Sequence, residues 1–174
     1  MTDGVLDPLT GVWSRFGLMF FAEHYLKLLR RVKREAILFV VGVNGVPAAG
    51  PDGPEQEASL KETARLLRRT FRTSDAVARI GADVFAVLLL ETSELAAEVL
   101  LRRLEDRLNE WKAEHAGEPP LTLTLIADRV RPDMEMVFAD ALSRTEGTLR
   151  KRQAEKGTRQ PLKDDWSSDA CLPA

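Results

Sequence analysis

The stretch "ARIGADVFAV", Ala78 to Val87, decides how the rest of the chain folds. Apolar residues run up to Gly81-Ala82-Asp83 and resume directly after it, the pattern of two short strands reversing through a tight turn. The hairpin so predicted spans Ala76 to Leu90. Upstream, Ala36 to Val43 ("AILFVVGV") is apolar throughout and rich in branched residues, as expected of a central strand buried on both faces. Downstream, "LTLTLIA" from Leu121 to Ala127 alternates like a strand.

Helical spacing fills the gaps between these strands. Asp7-Pro8-Leu9-Thr10 reads as a helix start, followed by Phe16, Phe20, Leu26, Leu29 and Val32 and by a basic end, Arg30 to Arg34, that suits the helix dipole. Leu60, Ala64, Leu67 and Phe71 mark a second helix from Glu57. Thr92-Ser93-Glu94 caps a third through Leu95, Val99, Leu100, Leu104, Leu108 and Trp111, ending near Gly117 and Pro119-Pro120. Pro132-Asp133 opens a last helix that runs to about Gly157. Gly45 to Pro54 is a Gly- and Pro-dense loop without the Lys and Ser or Thr that would end a phosphate-cradling P-loop.

The order is helix, strand, helix, strand, strand, helix, strand, helix, which predicts an α+β fold of the split βαββαβ kind. Its central antiparallel sheet would be flanked by helices, expected on one face. Residues 1–160 are expected to form one domain and residues 161–174 a polar, disordered tail in which Trp166 is solvent-exposed.

Composition narrows the function. In 174 residues, 25 Lys plus Arg stand against 27 Asp plus Glu, a net charge of -2, so no global basic field exists for nucleic acid or an anionic membrane. The single Cys171 and the two distant histidines, His24 and His115, offer no zinc-ligand spacing, and no metal or cofactor is expected. Neither a signal peptide nor an apolar run of roughly 20 residues is present, which makes a cytoplasmic location the expectation.

Four segments in order then resemble the GGDEF domain of diguanylate cyclases: "DPLTGVWSR" (Asp7 to Arg15), "ILFVVGVNGV" (Ile37 to Val46), "RTSDAVARIGADVF" (Arg72 to Phe85) and "LTLTLIA". The resemblance covers about residues 7–160 and implies bacterial cyclic di-GMP signalling. Family members condense two GTP molecules, each domain of a dimer holding one nucleotide and two divalent metals on several carboxylates, a role that hard cations and oxygen ligands fill. Here the matching positions are Gly42, Asn44 and Val84, with Asp83 the one acid kept in the turn. The resemblance therefore implies a degenerate site, no catalytic residues, and a pseudoenzyme.

The family's guanine-binding segment corresponds to "VPAAGPDGPEQE", Val46 to Glu57, where only Glu57 stands in for a base-pairing acid. Arg152 and Lys156 share the four-residue spacing of the family's phosphate-binding pair, a spacing that a solvated helix face also produces. Arg72-Thr73-Ser74-Asp75 matches the R-x-x-D inhibitory site through which the family binds cyclic di-GMP, with Arg79 adding charge. An Arg can fork to phosphate or to the Hoogsteen edge of guanine and an Asp can accept from guanine N1 and N2, but the same two residues also suit a local ion pair at a helix end.

The expected function is a regulatory protein without cyclase activity that binds cyclic di-GMP through Arg72, Asp75 and Arg79 and relays to a protein partner. The alternatives are a nucleotide-independent interaction module and a weak enzyme that recruits carboxylates from elsewhere. A homodimer stays open.

Overall fold

A computed structural model describes residues 4–44, 53–118, 120–131 and 138–155. Nine elements follow one another: β1 (Trp13–Ser14), α1 (Arg15–Val32), β2 (Ala36–Asn44), α2 (Pro54–Thr70), β3 (Ala76–Arg79), β4 (Val84–Leu89), α3 (Glu94–Glu114), β5 (Thr122–Val130) and α4 (Phe138–Glu155). They build one five-stranded sheet in the order β1-β3-β4-β2-β5.

Strand β2 lies inside the sheet, antiparallel to β4 from Ile37 opposite Leu89 to Gly42 opposite Val84, and antiparallel to β5 along its whole length. The hairpin forms as its sequence suggests, with Ala76 opposite Leu88 and Arg79 opposite Phe85. One pairing departs from the antiparallel expectation. Trp13 and Ser14 add a two-residue parallel strand to β3 at the sheet edge.

Helices cover both faces rather than one. Ile37, Phe39, Val41 and Val43 point with Phe85 and Val87 into a layer shared with Leu60 and Leu67 of α2 and Leu104 and Leu108 of α3. Leu38 and Val40 point with Ala86 and Leu88 into a second layer under Leu18 and Leu29 of α1 and Leu142 and Leu149 of α4. Successive strand residues face opposite ways, so a strand apolar at every position requires an apolar layer on each side.

The N-terminal helix begins later than expected. Asp7 Oδ2 accepts from the Thr10 amide (2.9 Å) and hydroxyl (2.6 Å), and Gly11 takes φ +69°, so Asp7–Gly11 is a turn. The helix starts at Arg15, where Ser14 Oγ accepts from the Gly17 amide at 3.0 Å as its N-cap. Its inward face also differs: Gly17, Leu18, Ala22 and Leu29 are buried, whereas Phe16, Phe20 and Val32 are exposed. Gly17 fixes this choice, because a Cβ there would lie 2.9 Å from the Trp13 ring and overlap the Val5 carbonyl.

Helix α3 is capped by Ser93 as expected and buries Ala97, Leu100, Leu104 and Leu108, but Leu95 and Val99 face outward. The expected loop at Gly45 to Pro54 falls mostly outside the described residues, as do the opening of the last helix at Pro132-Asp133, its end near Gly157, and the tail. No described helix is long and apolar enough to cross a membrane.

Candidate functional site

The end of β2, the hairpin turn and the last turns of α4 meet at one corner of the sheet. Gly42 lies in register between Val84 and Thr124. Above it sits the side chain of Gln153 from α4. A Cβ on Gly42 would fall 3.0 Å from Gln153 Cδ and 3.2 Å from Leu149 Cδ2, and would overlap the Gln153 amide nitrogen.

Gln153 Nε2 donates to Asn44 Oδ1 at 2.8 Å, and Asn44 Nδ2 donates to Thr124 Oγ1 at 2.6 Å. The corner is therefore closed by a chain of neutral amides and hydroxyls, each a donor or acceptor to the next. Divalent cations of the magnesium type need several hard oxygen ligands, usually including carboxylates. Among the described residues no three His, Cys, Asp or Glu side chains cluster closely enough to hold a metal. The described residues of this corner do not fit such an ion.

The turn beside this corner is held by backbone. The Ile80 and Gly81 amides both donate to the Val84 carbonyl (2.9 and 3.2 Å), and the Val43 amide donates to the Asp83 carbonyl (2.9 Å), tying the turn to β2. The Asp83 residue itself is exposed. Arg79 donates to Ala82 O (2.8 Å) and pairs with Asp7 Oδ1 (3.2 Å), which fastens the N-terminal turn to the hairpin. Arg15 adds a second fastening. Its guanidinium donates to both Glu146 oxygens (2.8 and 3.0 Å) and to Ile80 O (3.2 Å), and the bond to Glu146 raises its pKa above the ordinary value.

At the opposite end of β3, Arg72 and Asp75 form a closed loop of backbone bonds. Asp75 is 7% exposed; its Oδ2 accepts from the Arg72 amide (2.9 Å) and its Oδ1 from the Leu90 amide (3.2 Å), while its own amide donates to Arg72 O (3.0 Å). The carboxylate thus joins the end of α2 to the end of β4. Its partner in Arg72 is the main chain, not the guanidinium, so a hydrogen bond to the backbone stands where the sequence suggested an ion pair. The Arg72 residue is exposed.

Arg79 does not join this pair. It sits at the far end of the strand, roughly 13 Å from Asp75 at 3.3 Å per residue, with its charge on Asp7. Glu57 lies in the first turn of α2 beside Lys61 (3.5 Å). Arg152 lies in the last turn of α4, and Lys156 falls outside the described residues.

Sequence reasoning missed Gln153 and Asp7. Gln153 follows Leu149 by one helical turn on the face α4 turns toward the sheet, a spacing that could have singled it out. Asp7 was read as part of a helix start, although an Asp three residues before Thr10 also signals a side-chain turn.

Residues 54–156 match the family described as "Diguanylate cyclase, GGDEF domain". Over 123 residues, 70% of its length, the chain is 32% identical to the diguanylate cyclase DgcP of Pseudomonas aeruginosa, of which it spans only 18%. Two solved structures share its fold. One is the diguanylate cyclase SiaD of Pseudomonas aeruginosa in complex with its activator SiaC (TM-score 0.73, 21% identity, 88% of this chain and 59% of that one). The other is the GGDEF domain of DgcB from Caulobacter crescentus in complex with cyclic di-GMP (TM-score 0.73, 14% identity, 91% and 95%). With more than half its length in that match, and with the sheet order and hairpin described above, the chain belongs to the GGDEF-domain family of diguanylate cyclases.

Proposed function

We propose that this GGDEF chain is a signalling protein that has lost cyclase activity and acts by binding. The observation that carries the reading is Gln153 lying over Gly42 and bonded to Asn44. The family's metal-bearing acids correspond to Gly42, Asn44 and Val84, and the amide end of Gln153 from α4 occupies the space beside Gly42. One exposed acid, Asp83, is left on the turn, too few for two cations beside an attacking hydroxyl. The test is purified full chain with GTP and either magnesium or manganese, with products resolved by chromatography and mass spectrometry. No cyclic di-GMP is expected, and formation of any by the pure protein refutes the proposal.

Within this reading, cyclic di-GMP is the proposed ligand and the turn from Arg72 to Asp75 its site. Arg72 would supply the charge and Asp75 would shape the turn that presents it, with Arg79 one strand length away. What supports this is the exposed Arg72 residue on a turn fixed by four well-placed backbone groups, together with the cyclic di-GMP bound to the DgcB domain. Isothermal titration should give saturable heat that disappears in Arg72→Ala.

A second reading, an interaction module independent of nucleotide, is favoured by one specific observation. Both Asp75 oxygens are already engaged by backbone amides in a buried position, which leaves little of the carboxylate for a base edge. The SiaD–SiaC complex shows a protein activator on that GGDEF relative, and a relay to a protein partner is proposed here under both readings. Absence of heat with cyclic di-GMP and with GTP selects the second.

A further inference from the structure

We infer that the outer edge of β5 is a docking site for an extended segment of a partner protein, one that alternates acidic and apolar side chains and joins the sheet as a further strand. Strand β5 ends the sheet, and among the described residues none pairs with its outer side. The Val43 amide donates to Asp83 O beside β4, whereas Asn44 O accepts from the Thr122 hydroxyl (3.3 Å) of β5, so successive residues of β2 turn their backbone groups to opposite neighbours. Gly42, Val40 and Leu38 therefore bond to Thr124, Ile126 and Asp128, which stand opposite them. The N–H and C=O groups of Leu123, Leu125, Ala127 and Arg129 point the other way, out of the sheet. Donors and acceptors repeating at every second residue specify their ligand: another extended main chain meets them in order.

The two edges of the sheet differ. At the far side the sheet ends in β1, which is two residues long and offers little to pair with. Strand β5 is nine residues long, keeps one register with β2 from Thr122 to Val130 without a bulge, and contains neither Pro nor Lys. Its two charged side chains are engaged within the chain, Asp128 by Arg144 (2.6 Å) and Arg129 by Glu94. A long, regular edge without those guards is a template for another strand.

The flanks of the edge define the guest. On α4, Glu146 and Gln153 turn toward Arg15 and Asn44, and the opposite side of the helix carries Arg144, Thr148 and Lys151, all exposed. Guest residues opposite Thr124, Ile126 and Asp128 lie under this basic side, which suits acids. On the other face Leu101 of α3 follows Glu94, the partner of Arg129, by two helical turns, roughly 10 Å, which sets it near Ala127. Both are only partly buried, and the small side chain of Ala127, between Leu125 and Arg129 on the same face, leaves room beside it. Guest residues opposite Leu125 and Ala127 meet this surface, which suits apolar side chains. A second copy fits less well, because antiparallel edge-to-edge pairing would bring the Arg144 and Lys151 sides of two α4 helices together. The inference rests on the partner relay proposed above; its test uses no nucleotide, so its failure leaves the cyclase and cyclic di-GMP tests untouched.

Amide hydrogen exchange of the full chain, read by nuclear magnetic resonance, tests the edge first. The Leu125 and Ala127 amides should exchange at least roughly tenfold faster than those of Thr124 and Ile126. The docking probe is a capped heptapeptide alternating Glu and Val. It should bind with a Kd of roughly 10–500 µM, shift the amide signals of β5 and slow exchange at Leu125 and Ala127. The same peptide methylated on every backbone nitrogen, and its counterpart with Lys in place of Glu, should each bind about tenfold more weakly or worse. Ala127→Pro removes an outward N–H and no bond to β2, so it should keep the fold and lose the peptide. Leu125 and Ala127 amides as protected in the free chain as their neighbours, protection there that grows with protein concentration, no peptide binding up to about 2 mM, or equal binding of the methylated peptide overturns it.

Discussion

Replacing Asp75 with alanine removes the acceptor of two backbone amides at once, those of Arg72 and Leu90, at 2.9 and 3.2 Å. Hydrogen bonds to a charged group contribute about 1.5–3 kcal/mol each, and both donors sit on residues open to water, Arg72 exposed and Leu90 half-buried, so the lower end applies. The expected loss is about 3 kcal/mol. For a chain of this length that lowers Tm by roughly 6–12 °C. Urea unfolding followed by circular dichroism measures the free energy, and Arg72→Ala is the control. The guanidinium lies on an exposed residue, so that variant should stay within about 0.5 kcal/mol of the parent. Asp75→Asn keeps one acceptor and should fall between the two. An Asp75→Ala protein as stable as the parent would refute a carboxylate that joins α2 to β4, and would return Asp75 to ligand contact alone.

Gly42→Asp forces a charged side chain into the volume held by Gln153 and Leu149, and should cost about 2–4 kcal/mol in thermal or urea unfolding. Adding Gln153→Ala should recover at least about 1 kcal/mol of that, a coupling that a remote pair would lack. The ion pair of Arg15 with Glu146, with side-chain exposures of 45% and 12%, should show a coupling energy of about 1 kcal/mol in a double-mutant cycle. Tyr25 is the single tyrosine, and burial, with a smaller push from Glu91, raises its pKa above 10.0 despite Arg34. Ultraviolet titration should therefore place its midpoint above 10, and Glu91→Gln should lower it. Because the folded pKa is the raised one, this contribution to stability is complete below pH 10 and disappears as pH climbs through the folded value.

Much of the fold was legible because its signals are periodic. The apolar run from Ala36 to Val43 marked β2, and the apolar runs that stop and resume around Gly81-Ala82-Asp83 marked the hairpin. The start of α1 was not legible, since it depends on a side-chain turn at Asp7 and a left-handed Gly11, neither of which leaves a period. Nor was its inward face, which is set by the close approach of Val5 and Trp13 to Gly17. Strand β1 is two residues long and carries no pattern at all. At the candidate site, Gly42, Asn44 and Val84, on which the proposed loss of activity rests, could be read from the sequence alone. Gln153 could not, because its contact with Asn44 joins residues 109 apart in the chain. Arg72 and Asp75 were found as a pair, but the actual partners of the carboxylate are main-chain groups, one of them on Leu90, 15 residues downstream.

The central place of β2 has a consequence for how the chain is made. Its two neighbours in the sheet, β4 and β5, are synthesised after it, and β5 begins at Thr122, long after β2 has ended at Asn44. At 5–20 residues per second the ribosome needs roughly 4–16 s to supply that last strand. During this interval the most apolar segment of the protein has an unpaired edge. Any nascent or truncated chain ending before residue 122 should therefore be a client for chaperones and a seed for aggregation, whatever the finished molecule binds.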